Sequence, residues 1–231
     1  MIIDALSLVT NPAGNRPMDP AWLIGEAIHH TVTDVNGPAV PDEQATEAEE
    51  RAHIQAIDAY HVSLGYGGFA YHGITFASGR SYHCGEGQRA HVWHRNHELR
   101  GWALAGTFNI WRKSDEAGFV TELPGELQWA GLREALLWER ANHGIMPIMG
   151  HSEWALPGGG TACPGIVVPK DWEAFLQEES MPTLEEIALA FASYLHFRRQ
   201  NPPFNLADLS EQDKAAIRAA AASIPPFMPS D

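Results

Sequence analysis

Three short pieces of this sequence carry metal-binding or proton-moving side chains beside a strand end or a turn. They are Ile28-His29-His30-Thr31, Gly150-His151-Ser152-Glu153 and Ala162-Cys163-Pro164-Gly165. Two imidazole nitrogens and one thiolate make a three-ligand zinc site and leave the fourth tetrahedral position for water. Zinc lowers the pKa of such a water from 15.7 to about 7, so a nucleophile becomes available at neutral pH. A cysteine in that setting is held as thiolate, a reason to keep one in a chain with only two, Cys84 and Cys163. Histidine is enriched, at 12 residues in 231. Spacing alone does not join the three pieces, because His29 lies far from the other two.

The elements that must position these groups are legible as pattern. Trp22 to Thr33 reads as a buried strand, and Asn36-Gly37-Pro38 breaks it. Asp42 to about Leu64 reads as a helix with acidic first turns, a stripe of Ile54, Ile57, Tyr60 and His61, and Gly65 as its stop. Ala70–Phe76 and Arg80–Cys84 read as a hairpin turning at Ala77-Ser78-Gly79. Trp102–Ile110 is a further strand. Leu127 to about Asn142 is an amphipathic helix with Leu132, Leu136, Leu137 and Arg140 near one stripe, capped by Gly144. The run Ile145–Met149 leads into His151, Ile166–Val168 follows Pro164, and a short helix is expected over Trp172–Gln177. Strands and helices alternate without strict order, which predicts an α/β fold, a central mixed sheet flanked by helices.

Composition bounds the rest. Hydrophobic residues make up 45% of the chain and charged residues 19%, enough to fill a core and too much to be disordered. One main domain is expected over 21–180, after an irregular arm over 1–20 and before a C-terminal helical extension over 181–231, in which Thr183–Arg199 reads as a helix. The net charge of −14 argues against nucleic acid and anionic membranes as partners. Two cysteines exclude a disulfide framework. The N-terminal stretch has no basic start, and Asp4 interrupts its apolar run, so no secretory signal is read and synthesis in the cytoplasm is expected. No run reaches membrane-spanning length, and no obligate protein partner is evident.

The ordered set IHHT (28–31), AYHGITFASGR (70–80), AHVWHRN (90–96), WALAGTF (102–108), GHSE (150–153) and TACPG (161–165) resembles the zinc amidases that include T7 lysozyme and the peptidoglycan recognition proteins. The resemblance spans about 22 to 170. It implies the T7 lysozyme/peptidoglycan recognition fold and N-acetylmuramoyl-L-alanine amidase activity. The bond cut would be the amide between the lactyl group of N-acetylmuramic acid and L-alanine of the stem peptide. It also implies one zinc ion held by His29, His151 and Cys163, and peptidoglycan or muropeptide as partner. His29 is preferred to His30 because the family's ligand is the first residue after the apolar strand. His30 is then a packed or ligand-supporting histidine.

Tyr71 falls on the family's catalytic tyrosine, placed to donate to an oxyanion or to orient water. Thr161 falls where members carry Lys or Thr near the metal, with a turn residue as its alternative. His91 and Asn96 match the substrate-groove pattern, with Trp93 as a sugar or peptide platform, and loop polarity is the alternative for the polar pair. Glu153 either orients a ligand or makes a loop hydrogen bond. His72 is read as structural, Cys84 as a buried free thiol, and His83, His94, His97 and His143 as surface or loop residues. Two departures stand out: Ala105 occupies the place of the proposed base Glu of the anhydro-muropeptide amidases, and Pro157-Gly158-Gly159-Gly160 lengthens the loop between His151 and Cys163. The biological setting that fits is a phage endolysin. A non-catalytic peptidoglycan-recognition module of the same fold, or a purely structural zinc, would be the other uses of these residues.

Overall fold

The computed structural model describes residues 2–31, 39–108, 124–144, 146–156, 161, 163–164, 169 and 171–177. Strands β1 (Ile2–Asp4), β2 (Gly25–Thr31), β3 (Gly73–Thr75), β4 (Ser81–His83), β5 (Leu99–Ala105) and β6 (Ile148–Gly150) form one sheet in the order β1-β4-β3-β5-β2-β6. Only β3 and β4 pair antiparallel, and every other neighbouring pair is parallel. The helices are α1 (Glu47–Ser63), α2 (Glu126–His143), α3 (His151–Trp154) and α4 (Trp172–Gln177). The expected mixed sheet flanked by helices is what forms.

Strands β2 and β5 lie at the centre and are buried along their whole length, as parallel strands covered on both faces must be. On one face Ile28, Trp102 and Leu104 pack against Trp129, Leu132, Ala135 and Leu136 of α2 and against Trp172, Phe175 and Leu176 of α4. On the other, Ile74, Phe76, Tyr82, Ala103 and Ala105 pack against Ile54 of α1. Alternation along β2 therefore sends Ile28 toward α2 and His29 to the opposite side.

Several expectations shift. The helix expected from Asp42 begins only at Glu47, because Thr46 caps it. The Glu49 amide donates to Thr46 Oγ1 at 3.3 Å, and the Thr46 amide donates to Glu49 Oε2 at 2.7 Å, a complete capping box. Its buried stripe runs through Glu50, Ile54, Asp58 and His61, so Tyr60, one residue and about 100° away from His61, points to solvent. The same rotation exposes Leu137 of α2, while Leu132 and Leu136 are buried as expected.

The arm over 1–20 is not wholly irregular, since Ile2–Asp4 adds an edge strand to β4. The hairpin turns where expected, with Gly79 at φ +83° supplying the left-handed residue. Its first strand is short, and Tyr71 and His72 precede the ladder. The strand expected at Trp102 begins earlier, at Leu99, and takes in Gly101. The expected elements over Thr183–Arg199 and Ile166–Val168, and the extension 181–231, lie outside the described residues.

Two of the buried carboxylates on this scaffold, Glu50 and Glu139, have arginine partners. Glu50 accepts from Ser78 Oγ, Arg80 Nε at 2.6 Å and Tyr82 Oη at 2.6 Å, which ties α1 to the hairpin. Arg100, on the α2 side of β5, donates two hydrogen bonds to Glu139. Among the described residues, no helix is long and apolar enough to cross a membrane.

Candidate metal centre

The parallel register of β2 and β6 sets Gly150 beside Ile28. The residue after each is a histidine, His29 within β2 and His151 as the first residue of α3. The two therefore come together toward the carboxyl end of these strands, where open α/β sheets place their ligands. Their ring centroids are 4.5 Å apart. The chain then returns to bring Cys163 between them. Ser152 N–H donates to the Cys163 carbonyl at 2.8 Å, Cys163 N–H donates to Thr161 Oγ1 at 3.1 Å, and His30 N–H donates to Cys163 Sγ at 3.4 Å. One ligand atom each from His29, His151 and Cys163 lies within 4.8 Å of the other two.

These residues fit a tetrahedral zinc ion. A Zn–S bond of ~2.3 Å and a Zn–N bond of ~2.05 Å at the tetrahedral angle place sulfur and nitrogen about 3.6 Å apart. Cys163 Sγ stands 3.7 Å from His29 Nδ1. The protonation states agree. The His29 pKa is held well below the usual imidazole value, by burial first and then by His151, His91 and His30, and burial lowers His151 to about 4. Both rings are therefore neutral at pH 7, with a lone pair to give. Burial pushes the Cys163 thiol up to about 12, partly offset by the His30 amide. A bound cation is what would draw off that proton.

The other expected residues fall into distinct places. Tyr71 packs its ring 5.1 Å from His29 and 5.5 Å from His61, and burial keeps its phenol protonated, well above the usual tyrosine value. Thr161 stands beside the site, with its hydroxyl oxygen taken by the Cys163 amide. Trp93 is 64% exposed and lies tilted against His94, at a ring distance of 4.0 Å. His91 and Asn96 are drawn inward rather than displayed to a groove. His91 lies between His29 and the Leu99 carbonyl, while Asn96 Oδ1 accepts from the His91 and Val92 amides. Glu153 makes the local bond, accepting from Gly150 N–H at 2.6 Å.

His30 is supporting. Its Nδ1 accepts from Phe108 N–H at 3.0 Å. His72 is structural, accepting from Gly101 N–H and donating to the Gly87 carbonyl. Cys84 is a fully buried free thiol. His83 departs from its expected surface role: it is buried, with its ring 4.9 Å from that of Trp138. His61, which sequence reasoning gave only a place in the helix stripe, proves to back Tyr71 and to accept from Ala70 N–H at 3.1 Å. The helix period could place it on the buried face, but no local signal names the tyrosine it meets.

The model of the N-acetylmuramoyl-L-alanine amidase family (Amidase_2) matches residues 25–166. The chain belongs to this family. No curated protein matches it. Among solved structures, Drosophila peptidoglycan recognition protein SA is 18% identical, with a TM-score of 0.57, over 79% of this chain and 96% of that one. Peptidoglycan recognition protein LE, solved in complex with tracheal cytotoxin, is 19% identical with a TM-score of 0.55, over 80% and 98%. The amidase LysC of Clostridium intestinale is 20% identical with a TM-score of 0.47, over 71% and 89%. The recognition proteins share the fold found here.

Proposed function

We propose that this protein is a zinc-dependent N-acetylmuramoyl-L-alanine amidase that cuts the amide between the muramic acid lactyl group and L-alanine of the stem peptide. The observation that carries the reading is the convergence of His29, His151 and Cys163, three zinc-type donors, with Tyr71 packed against His29. Zinc, when bound there, supplies Lewis acidity at the scissile carbonyl and lowers the pKa of water.

The chain's own residues do the remainder. Tyr71, protonated throughout the working pH range, donates from Oη to the carbonyl oxygen as negative charge develops on it. Thr161, its oxygen already accepting from the Cys163 amide, keeps its hydroxyl proton free to donate to the same centre. Trp93 offers an exposed aromatic face to a sugar ring or peptide. Ala105 ends β5 beside Thr31 without a carboxylate, so the base function does not fall to that strand. Action on the host wall after release from the cytoplasm, as a phage endolysin, fits a compact hydrolytic unit of this kind.

The test is digestion of purified peptidoglycan, with and without chelator and with zinc restored. New L-alanine amino termini that require zinc are the expected result. New reducing sugars would mean a glycosidase. Neither product, with zinc bound, would mean that the protein recognises peptidoglycan without cutting it.

A further inference from the structure

His29 has two ring nitrogens, and only one can face Cys163 and His151. A neutral imidazole carries its proton on either nitrogen, and the hydrogen bond made by the other nitrogen decides which. His29 Nε2 lies 3.1 Å from His91 Nδ1, and His91 Nε2 lies 2.9 Å from the Leu99 carbonyl. The carbonyl can only accept, so His91 carries its proton on Nε2. Its Nδ1 is therefore a lone pair, which must receive the His29 Nε2 proton. His29 Nδ1 is left bare, and Nδ1 is the atom that stands 3.7 Å from Cys163 Sγ.

We infer that His91 is a positioning residue that fixes the tautomer and ring plane of His29 through this chain of hydrogen bonds, ending on the β5 backbone. The inference rests on the proposed metal centre for its purpose, though not for its geometry.

A second feature of the fold serves the same arrangement. His91 lies flat over β5 at Gly101, where a Cβ would come 2.5 Å from His91 Nδ1 and 2.8 Å from its Cγ. Any side chain at position 101 would push the ring away from His29. The Gly101 amide is meanwhile held by His72 Nδ1 at 2.9 Å, and the loop carrying His91 is held by Asn96. Metal-bound histidines commonly donate their second N–H to a carboxylate, a carbonyl or water. Here a neutral histidine takes that place, which orients the ligand without adding negative charge. With both nitrogens engaged, His91 has none left for substrate.

The experiment uses the full chain in four forms: wild type, His91→Leu, His91→Gln and Gly101→Ala. In metal-free protein, nitrogen-15 NMR of the histidine rings reads the tautomer and the exchange protection of the His29 Nε2 proton. Zinc affinity is read by competition with a chromogenic chelator. The wild type should show a protected Nε2 proton on His29. His91→Leu and Gly101→Ala should lose that protection and bind zinc about 10- to 100-fold more weakly.

His91→Gln should restore much of both, since its amide can accept from His29 and donate to Leu99. A proton on Nδ1 of His29 in the wild type, or undiminished zinc affinity in both His91→Leu and Gly101→Ala, overturns the inference. A wild type that shows the protected proton yet binds no zinc overturns the metal-centre reading instead, and leaves the hydrogen-bond chain standing.

Discussion

Glu26 offers the sharpest check on how this fold handles charge. It sits on β2 three residues before His29, on the face that packs against α2, and its side chain is 2% exposed with neither carboxylate oxygen hydrogen-bonded among the described residues. Its neighbours are the ion pair of Arg100 with Glu139. Burial, and then the Glu139 charge, raise its pKa well above the usual carboxylate value, more than Arg100 and Arg140 lower it.

A group whose folded pKa is raised contributes stability that is complete below the unfolded pKa and is lost as pH rises through the folded one. Each pH unit over which the unfolded chain is ionised and the native carboxyl is not costs about 1.4 kcal/mol. An unpartnered buried polar group costs a further ~1–3 kcal/mol at any pH.

Two substitutions separate these terms. Glu26→Gln removes only the ionisation term, so its gain over wild type should be absent near pH 4 and grow above pH 5. Glu26→Met, of similar length, removes both, so its gain should be present at pH 4 and grow in parallel. Urea unfolding of the three proteins between pH 4 and 8 measures this directly. Zinc affinity should not change, since the side chain faces away from the cluster. A gain for Glu26→Gln that does not vary with pH would refute the reasoning, and would mean that Arg100 holds Glu26 ionised inside the fold.

Tyr71→Phe keeps the ring contacts to His29, His61 and Phe69 and removes only the donor. Alanine-terminus release should fall about 10²- to 10³-fold with zinc affinity and melting temperature nearly unchanged, and a parallel loss of zinc would show that the hydroxyl serves the site's structure. Zinc at a hundred times its dissociation constant should raise stability by about 2.7 kcal/mol, read as a melting shift abolished by chelator and by Cys163→Ser. Acid should destabilise the protein through His61, which burial holds at about 4 and which accepts from the Ala70 amide. Its contribution is complete above the unfolded value of about 6.5 and falls by up to roughly 3 kcal/mol as pH drops to 4. His61→Gln should flatten that part of the stability-against-pH curve, and an unchanged slope would sink the assignment.

What was legible in the sequence was local or periodic. The β3–β4 turn announced itself through Ala77-Ser78-Gly79, and α4 was bounded correctly because aromatic and apolar residues recur at helical spacing over Trp172–Gln177. What was lost depended on partners distant in sequence. Three residues at the N-terminus become an edge strand only because β4 lies beside them, and parallel pairing leaves no nearby turn to betray it. The pieces bearing His29, His151 and Cys163 were assembled by resemblance, since the register that sets Gly150 beside Ile28 is a property of the folded sheet. The burial of His91 was hidden for a related reason. A polar residue in a loop reads as exposed until the bare backbone of Gly101, ten residues on, is seen to receive its ring.

The histidine enrichment then has a physical cause wider than metal binding. Two of the histidines, His29 and His151, belong to the candidate metal centre, while His30, His61 and His72 each accept a backbone amide, from Phe108, Ala70 and Gly101. The Ala70 amide precedes β3, the Gly101 amide lies within β5 and the Phe108 amide follows β5, and each is taken by an imidazole. A buried amide without a partner is costly. A carboxylate could accept from it, but would bring a charge into a buried site. Neutral imidazole accepts on one nitrogen and donates on the other, and burial keeps it neutral here. Histidine is thus the side chain that can satisfy these amides without adding charge to the buried site. Protonation of these imidazoles in acid removes the lone pairs that accept those amides, so a fold that relies on histidine in this way loses these hydrogen bonds as pH falls.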